Sequence, residues 1–82
     1  MYLSIGKDLA VRESSIIGIF DLDNTSTSAR TREFLNRAAQ EGSVVPCDDL
    51  PKSYLLTAEY GLERVWLTPL SAYTLEKRLE NR

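Results

Sequence analysis

The stretch I-I-G-I-F-D-L-D-N-T-S-T-S-A-R-T-R-E-F-L, residues Ile16 to Leu35, decides the organisation of this chain, because it joins an apolar strand to a helix through a polar turn. Residues Ser14 to Leu22 are rich in β-branched and aromatic side chains and are apolar on both faces. This pattern predicts a well-buried central strand. The alternation of side chains along a strand would place Ile16 and Ile19 on opposite faces.

A helix is predicted to follow the polar turn. Asp23 to Ser28 provides turn formers and several short oxygen-bearing side chains that can cap a helix N-terminus. Phe34 and Leu35 begin an apolar pattern with helical spacing, and Gly42 stands where a left-handed residue would end the helix. The helix is therefore expected over about Ser28 to Glu41.

Two β-hairpins and a second helix are predicted in the rest of the chain. The first hairpin pairs Tyr2 to Ile5 with Leu9 to Val11, and the second pairs Ser53 to Glu59 with Arg64 to Leu67. In the last of these strands Val65 and Leu67 share one face, and Trp66, which is expected to pack in the core or at a subunit interface, lies on the other.

The remaining segments complete a small α+β fold. The composition of Ser43 to Pro51 indicates a surface loop, Pro69 ends the last strand, and Ser71 can cap a helix over Ala72 to Asn81. The expected architecture is one domain, residues 1–82, with a small antiparallel β-sheet, a middle helix and a C-terminal helix.

Length and composition favour a cytoplasmic protein that associates with copies of itself. A domain of 82 residues has a thin core, so oligomerisation is an expected source of stability. The single Cys47 and the absence of histidine exclude an internal disulfide and the usual zinc sites. We find no apolar run long enough to span a membrane and no secretion signal. The net charge of −2 does not by itself indicate nucleic-acid binding.

The sequence contains two candidate catalytic sites, but neither is convincing, so we expect a protein that is not an enzyme and holds no metal or cofactor. Asp21, Asp23 and Thr25 form a D-x-D-x-T pattern used by aspartate-nucleophile phosphatases, but 82 residues cannot build the doubly wound sheet of those enzymes. Turn and capping roles are the favoured interpretation from Asp23 onward. Cys47 has no histidine to activate it, which favours a structural or incidental thiol.

Two groups of basic residues could bind phosphates. On the predicted middle helix, Arg30 and Arg37 share a face at heptad spacing, and Arg32 lies nearby. The open alternative is a solvated face on which Arg37 pairs with Glu33 or Glu41. The second group consists of Lys7 and Arg12, near the first hairpin, and Lys52, on the loop before the strand that begins at Ser53.

The order of short segments along the whole chain resembles the bacterial RemA/RemB family of extracellular matrix (biofilm) regulators, and its RemB-like members most closely. These segments are Tyr2–Gly6, Ile16–Asp21, Thr31–Leu35, Leu50–Ser53, Leu67–Ser71 and Thr74–Arg78. The resemblance implies a transcription regulator that assembles into a ring-like homo-oligomer and uses arginines to bind double-stranded DNA.

The resemblance also shows a departure from the DNA-binding pattern of the family. The arginine before the apolar strand falls at about Ser15 in this chain, and the later arginine pair falls on Leu50 and Pro51. Arg12 and Lys52 lie close enough in sequence to substitute, although a lysine does not replace a bidentate arginine. The alternative hypothesis is an oligomeric scaffold that acts through a protein regulator without binding DNA.

Overall fold

The structure is a computed structural model that describes residues 1–22 and 29–81, and within them it has the predicted α+β class. In chain order the elements are β1 (Tyr2–Gly6), β2 (Leu9–Arg12), a 3₁₀ turn (Glu13–Ser15), β3 (Ile16–Asp21), α1 (Ala29–Gln40), β4 (Val44–Val45), β5 (Ser53–Glu59), β6 (Leu62–Thr68) and α2 (Ala72–Glu80).

The strands of the described residues form two sheets. β1 and β2 make an antiparallel hairpin, and the other sheet has the order β3-β5-β6-β4. The β3–β5 and β5–β6 pairs are antiparallel as predicted, but β4 is parallel to β6. The prediction of a loop at Val44 and Val45 was therefore wrong. The Ser43 carbonyl accepts a 2.9 Å hydrogen bond from the Val65 N–H, directly before the paired residues of β4.

β3 is an edge strand, so the prediction of a well-buried central strand was wrong. The middle of the sheet is formed by β5 and β6, whose tight hairpin keeps them adjacent. Ile16 pairs with Thr57 and Gly18 with Leu56, which leaves Ile17 as the extra residue of a β-bulge. Since the bulge shifts the alternation, Ile16 and Ile19 pack on the same face, contrary to prediction.

Each face of the four-stranded sheet covers a separate hydrophobic core. The β1–β2 hairpin and α2 pack on one face, where the buried residues are Leu3, Ile5, Val11, Leu55 and Leu75. Helix α1 packs on the other, where the buried residues are Ala38, Tyr54 and Val65. Trp66 lies with the first core, while Val65 and Leu67 lie with the second, so the predicted faces of β6 are confirmed.

Both helices end or begin as their sequences predict. The Ser43 N–H donates to the Ala38 carbonyl and the Gly42 N–H to the Ala39 carbonyl, with Gly42 at φ 76°, which is a Schellman motif. At α2, the Ser71 hydroxyl accepts a 3.1 Å hydrogen bond from the Thr74 N–H. The capping cluster predicted over Asp23 to Ser28 lies outside the described residues.

Neither helix in the described part of the chain has both the length and the apolarity needed to cross a membrane.

Polar contacts attach the β1–β2 hairpin to the rest of the fold. The buried Thr68 hydroxyl donates to the Ile5 carbonyl and accepts a 3.1 Å hydrogen bond from the Leu70 N–H. Arg78 Nη1 donates to the Ser4 carbonyl over 3.0 Å. The hairpin is thus fixed to both β6 and α2.

Replacing Thr68 by valine keeps the shape of the side chain but removes both hydrogen bonds, leaving buried backbone groups unpaired. We expect T68V to lower the free energy of unfolding by about 1–3 kcal/mol in urea denaturation. The control is T74V, whose half-buried hydroxyl lies beside the Ser71 side chain at the start of α2. Equal losses in the two variants would contradict a special role for Thr68.

Candidate functional site

A groove lies where the open end of the β1–β2 hairpin meets the turn between β5 and β6, and we call it the hairpin-end groove. Its volume is about 360 Å³. Its polar and aromatic lining consists of Tyr2, Arg12, Ser15, Thr57, Glu59, Tyr60, Arg64 and Trp66. Two arginines therefore border one groove, together with a single carboxylate.

Arg12, the last residue of β2, lies at the mouth of this groove and forms an ion pair with Glu59. Its Nη1 lies 3.1 Å from Glu59 Oε2, and the Arg12 side chain is 44% exposed. Hydrogen bonds with Tyr2 and Tyr60, followed by the charge of Glu59, raise the pKa of the Arg12 guanidinium. Arg12 is therefore a fixed, half-exposed cation that other anions can also reach.

Arg64 is the second cation of the hairpin-end groove, and it is not among the DNA-binding candidates predicted from the sequence. Arg64 pairs with Thr57 across the β5–β6 hairpin, two residues before Trp66 and so on the same face of β6. Trp66 Nε1 donates a 2.9 Å hydrogen bond to Thr57 Oγ1 on that face. The predicted alternation of β6 already placed Arg64 on the same face as Trp66. That Arg12 lies beside Arg64 is shown only by the position of β2 at this end of the sheet.

Tyr60 adopts a backbone conformation that bulky residues rarely use. Tyr60 and Gly61 have φ values of 53° and 77°, as in a type I′ hairpin turn, for which Asn-Gly is favoured. The Tyr60 side chain is 86% exposed, so burial of apolar surface does not account for a tyrosine here. Tyr60 lies beside the Arg12 guanidinium and raises its pKa, and this contact is what the position provides.

We expect Tyr60→Asn to raise the free energy of unfolding by about 0.5–1 kcal/mol, because Asn adopts the left-handed conformation at a lower energetic cost. Urea denaturation measures the change. Tyr73→Asn is the control, since Tyr73 is also exposed but lies in helix α2, where Asn is unfavourable. A loss of stability in Y60N would show that the contact with Arg12 outweighs the backbone strain.

Lys52 and Arg12, predicted as members of one basic set, lie at opposite ends of the sheet. Lys52 precedes β5 and its N–H donates to the Thr68 carbonyl, whereas Arg12 contacts Glu59 at the last residue of β5. The length of β5 separates these ends by roughly 20 Å. The structure therefore does not bring Arg12 and Lys52 together within one protomer.

Lys7 lies in the β1–β2 turn, at the Lys52 end of the sheet, and its surroundings are acidic. The groove that Lys7 lines is also lined by Asp8, Asp48 and Asp49. Three carboxylates around one ammonium group give a locally negative surface. Of the three residues in this predicted set, Arg12 is the one with a second basic residue in its own groove.

On α1, Arg30 and Arg37 share a shallow cleft with Phe34 and Glu33, which agrees with their predicted common face. Arg32 points about 160° away from Arg30 around the helix, on the opposite flank. Within the described residues, the ion pairs are Arg12–Glu59 and Lys77–Glu80, so the alternative pairing of Arg37 with acidic neighbours on or next to α1 is not formed.

An aromatic cluster borders the same helix next to the edge strand. The rings of Phe20 and Tyr54 stack with their centroids 5.0 Å apart, and Phe34 lies 6.4 Å from Tyr54 in a tilted arrangement. The Phe20 ring covers Gly18, where an added Cβ would lie 2.8 Å from that ring. Burial raises the pKa of the Tyr54 phenol. Phe20 and Phe34 stay partly exposed, so this is an apolar surface at the edge of the sheet.

Of the residues considered for catalysis, the structure describes Asp21 and Cys47. Asp21 is the exposed last residue of β3, and its proposed partners Asp23 and Thr25 lie outside the described residues. The Cys47 thiol donates to the Asp49 carbonyl over 3.0 Å. Residues 1–22 and 29–81 contain no group of three or more acidic or cysteine side chains placed to hold a metal ion.

Comparison with known proteins shows the family to which the chain belongs. The chain is similar to extracellular matrix regulatory protein B of Bacillus subtilis (strain 168), with 36% identity over 81 residues, which cover 98% of this chain and 91% of the relative. The chain belongs to the RemB family. No protein-family model matches it.

In this RemB-family chain, the two positions at which the family resemblance places DNA-contacting arginines have different surroundings. Ser15 is buried beside Arg12, and its hydroxyl donates to the Arg12 carbonyl over 2.6 Å. Leu50 is 87% exposed and precedes the exposed Lys52. The first of these positions therefore lies in the hairpin-end groove, while the second lies at the other end of the sheet.

Proposed function

We propose that this chain is a bacterial regulator of extracellular matrix gene expression that acts as an oligomeric DNA-binding protein. The relative it matches is named an extracellular matrix regulatory protein. The observation that supports DNA binding is that Arg12 and Arg64 line one groove together with Ser15. The family resemblance places an arginine of DNA-binding members at about Ser15. DNA phosphates are the proposed ligands of these guanidinium groups.

A ring-like homo-oligomer is the proposed form in which the protein acts. The monomer has two small cores and a net charge of −2, so one groove would bind DNA weakly. Repetition of the groove around a ring raises the effective concentration of every further contact after the first. This avidity can offset the negative charge of the whole protein.

Fluorescence anisotropy of labelled duplex DNA tests the proposal. A matrix-operon promoter fragment and a scrambled duplex are titrated with size-checked oligomer over a salt series. We expect saturable binding that weakens steeply with salt, since each phosphate contact adds about 0.9 to the slope of log K against log salt concentration. Absence of binding to either duplex at low salt would overturn DNA binding.

The second candidate function is a scaffold that binds a protein regulator, and it is favoured by the apolar surface beside β3. Ile17, Phe20 and Phe34 are all exposed large apolar residues on or facing this edge strand. Exposed apolar surface of this kind is typical of protein-binding sites. Recovery of one specific protein by pull-down after nuclease treatment, lost in F20S/F34S, would support a scaffold; recovery that depends on DNA would count against it.

A further inference from the structure

We propose that the Glu59 carboxylate is an internal competitor of DNA: it occupies the Arg12 guanidinium in the free protein, and a DNA phosphate displaces it on binding. This inference rests on the proposed DNA-binding function and adds a means of regulating the same groove. A carboxylate and a phosphate offer an arginine the same pair of acceptor oxygens, so they compete for one guanidinium.

Strand pairing holds the backbones of Glu59 and Arg12 close to each other. Glu59 is the last residue of β5, and it pairs with Leu62 directly before the tight turn. Arg12 is the last residue of β2 and pairs with Tyr2 at the open end of the other hairpin. Both backbones are thus fixed by strand pairing, and only rotation of the two side chains can separate the charges.

The contact is nevertheless weak enough for DNA to displace. The side chains of Arg12 and Glu59 are 44% and 38% exposed, and water screens ion pairs of this kind. Competition from one such pair changes an affinity by up to about fivefold. Glu59 therefore lowers the affinity of the groove without closing it.

After displacement, the Glu59 carboxylate lies next to the incoming phosphate and repels it. This repulsion makes the groove selective among anions. A single phosphate gains one guanidinium and meets one carboxylate at close range. Arg64 lines the same groove, so a DNA backbone can offer a second phosphate to it. The pair of arginines with one acid thus favours a polymer of phosphodiesters over a free anion.

The test compares Glu59→Gln with Glu63→Gln by anisotropy at one salt concentration. Both changes remove one negative charge from the β5–β6 hairpin, but Glu63 pairs with Ala58 on the opposite face and has no ion-pair partner within the described residues. We expect E59Q to bind duplex DNA about two- to fivefold more tightly than E63Q. The oligomer size of each variant is checked beforehand.

Each outcome has a distinct meaning. Tighter binding by E59Q than by E63Q supports the competition. Equal affinities, with DNA bound by the unmodified protein, overturn the competition and leave DNA binding standing. Weaker binding by E59Q than by the unmodified protein shows that Glu59 positions Arg12 for DNA, and this also overturns it. Absence of binding by all three proteins overturns both the competition and the proposed function.

Discussion

Replacing Leu55 by alanine is expected to lower the free energy of unfolding by about 2–5 kcal/mol. Leu55 lies in β5, at the middle of the four-stranded sheet, and its side chain is 0% exposed. It belongs to the core formed with the β1–β2 hairpin and α2. Truncation removes buried apolar surface and leaves a cavity that surrounding strands and helices cannot fully fill.

In a domain this small, such a loss is a large fraction of the total free energy of unfolding. A chain of 82 residues has a total stability on the order of 4–12 kcal/mol. Urea denaturation followed by circular dichroism measures the change at fixed protein concentration, because oligomerisation contributes to stability. The control is Leu62→Ala, at a 61% exposed position, for which a change below about 0.5 kcal/mol is expected. Similar losses in both variants would contradict the assigned core.

The double variant R12Q/R64Q is expected to lose at least about tenfold in DNA affinity, since two charge-assisted contacts to phosphate are removed in every protomer. The slope of log K against log salt concentration should fall by about two for each protomer that contacts DNA. Glutamine keeps much of the side-chain length, and the oligomer is expected to stay intact, which size-exclusion chromatography checks.

The matched control for this variant is R30Q/R37Q. It also removes two positive charges, but from the face of α1 that is a second predicted phosphate-binding surface. If DNA binds in the hairpin-end groove, R30Q/R37Q retains affinity and slope apart from a small general charge effect. Loss of binding in R30Q/R37Q with retention in R12Q/R64Q would place the DNA on α1 instead.

Local signals in the sequence predicted the helices and hairpins because their causes lie within a few residues. Gly42 ends α1 through its own backbone conformation, Ser71 caps α2, and Tyr60-Gly61 forms a tight turn between β5 and β6. The order of strands depends on contacts between distant segments instead. The edge position of β3 and the parallel pairing of Val44–Val45 could not be read from their own residues.

The candidate site was predicted in part for the same reason. Arg12 was selected from its position near a hairpin, but sequence proximity grouped it with Lys52, from which the length of β5 separates it. Arg64 and Glu59 become its neighbours only through the packing of β2 against the β5–β6 turn. The bulge at Ile17 likewise depends on pairing with β5, although the neighbouring Gly18 is a residue type that often marks a bulge.

Trp66 allows the central claim, that DNA binds in the hairpin-end groove, to be measured without mutation. It is the single tryptophan of the chain and lines this groove, with its indole N–H bound to Thr57. We predict that titration with unlabelled duplex DNA changes Trp66 fluorescence saturably, with the same midpoint as anisotropy, and that high salt reverses the change. DNA binding by anisotropy with unchanged Trp66 emission would contradict the groove as the binding site.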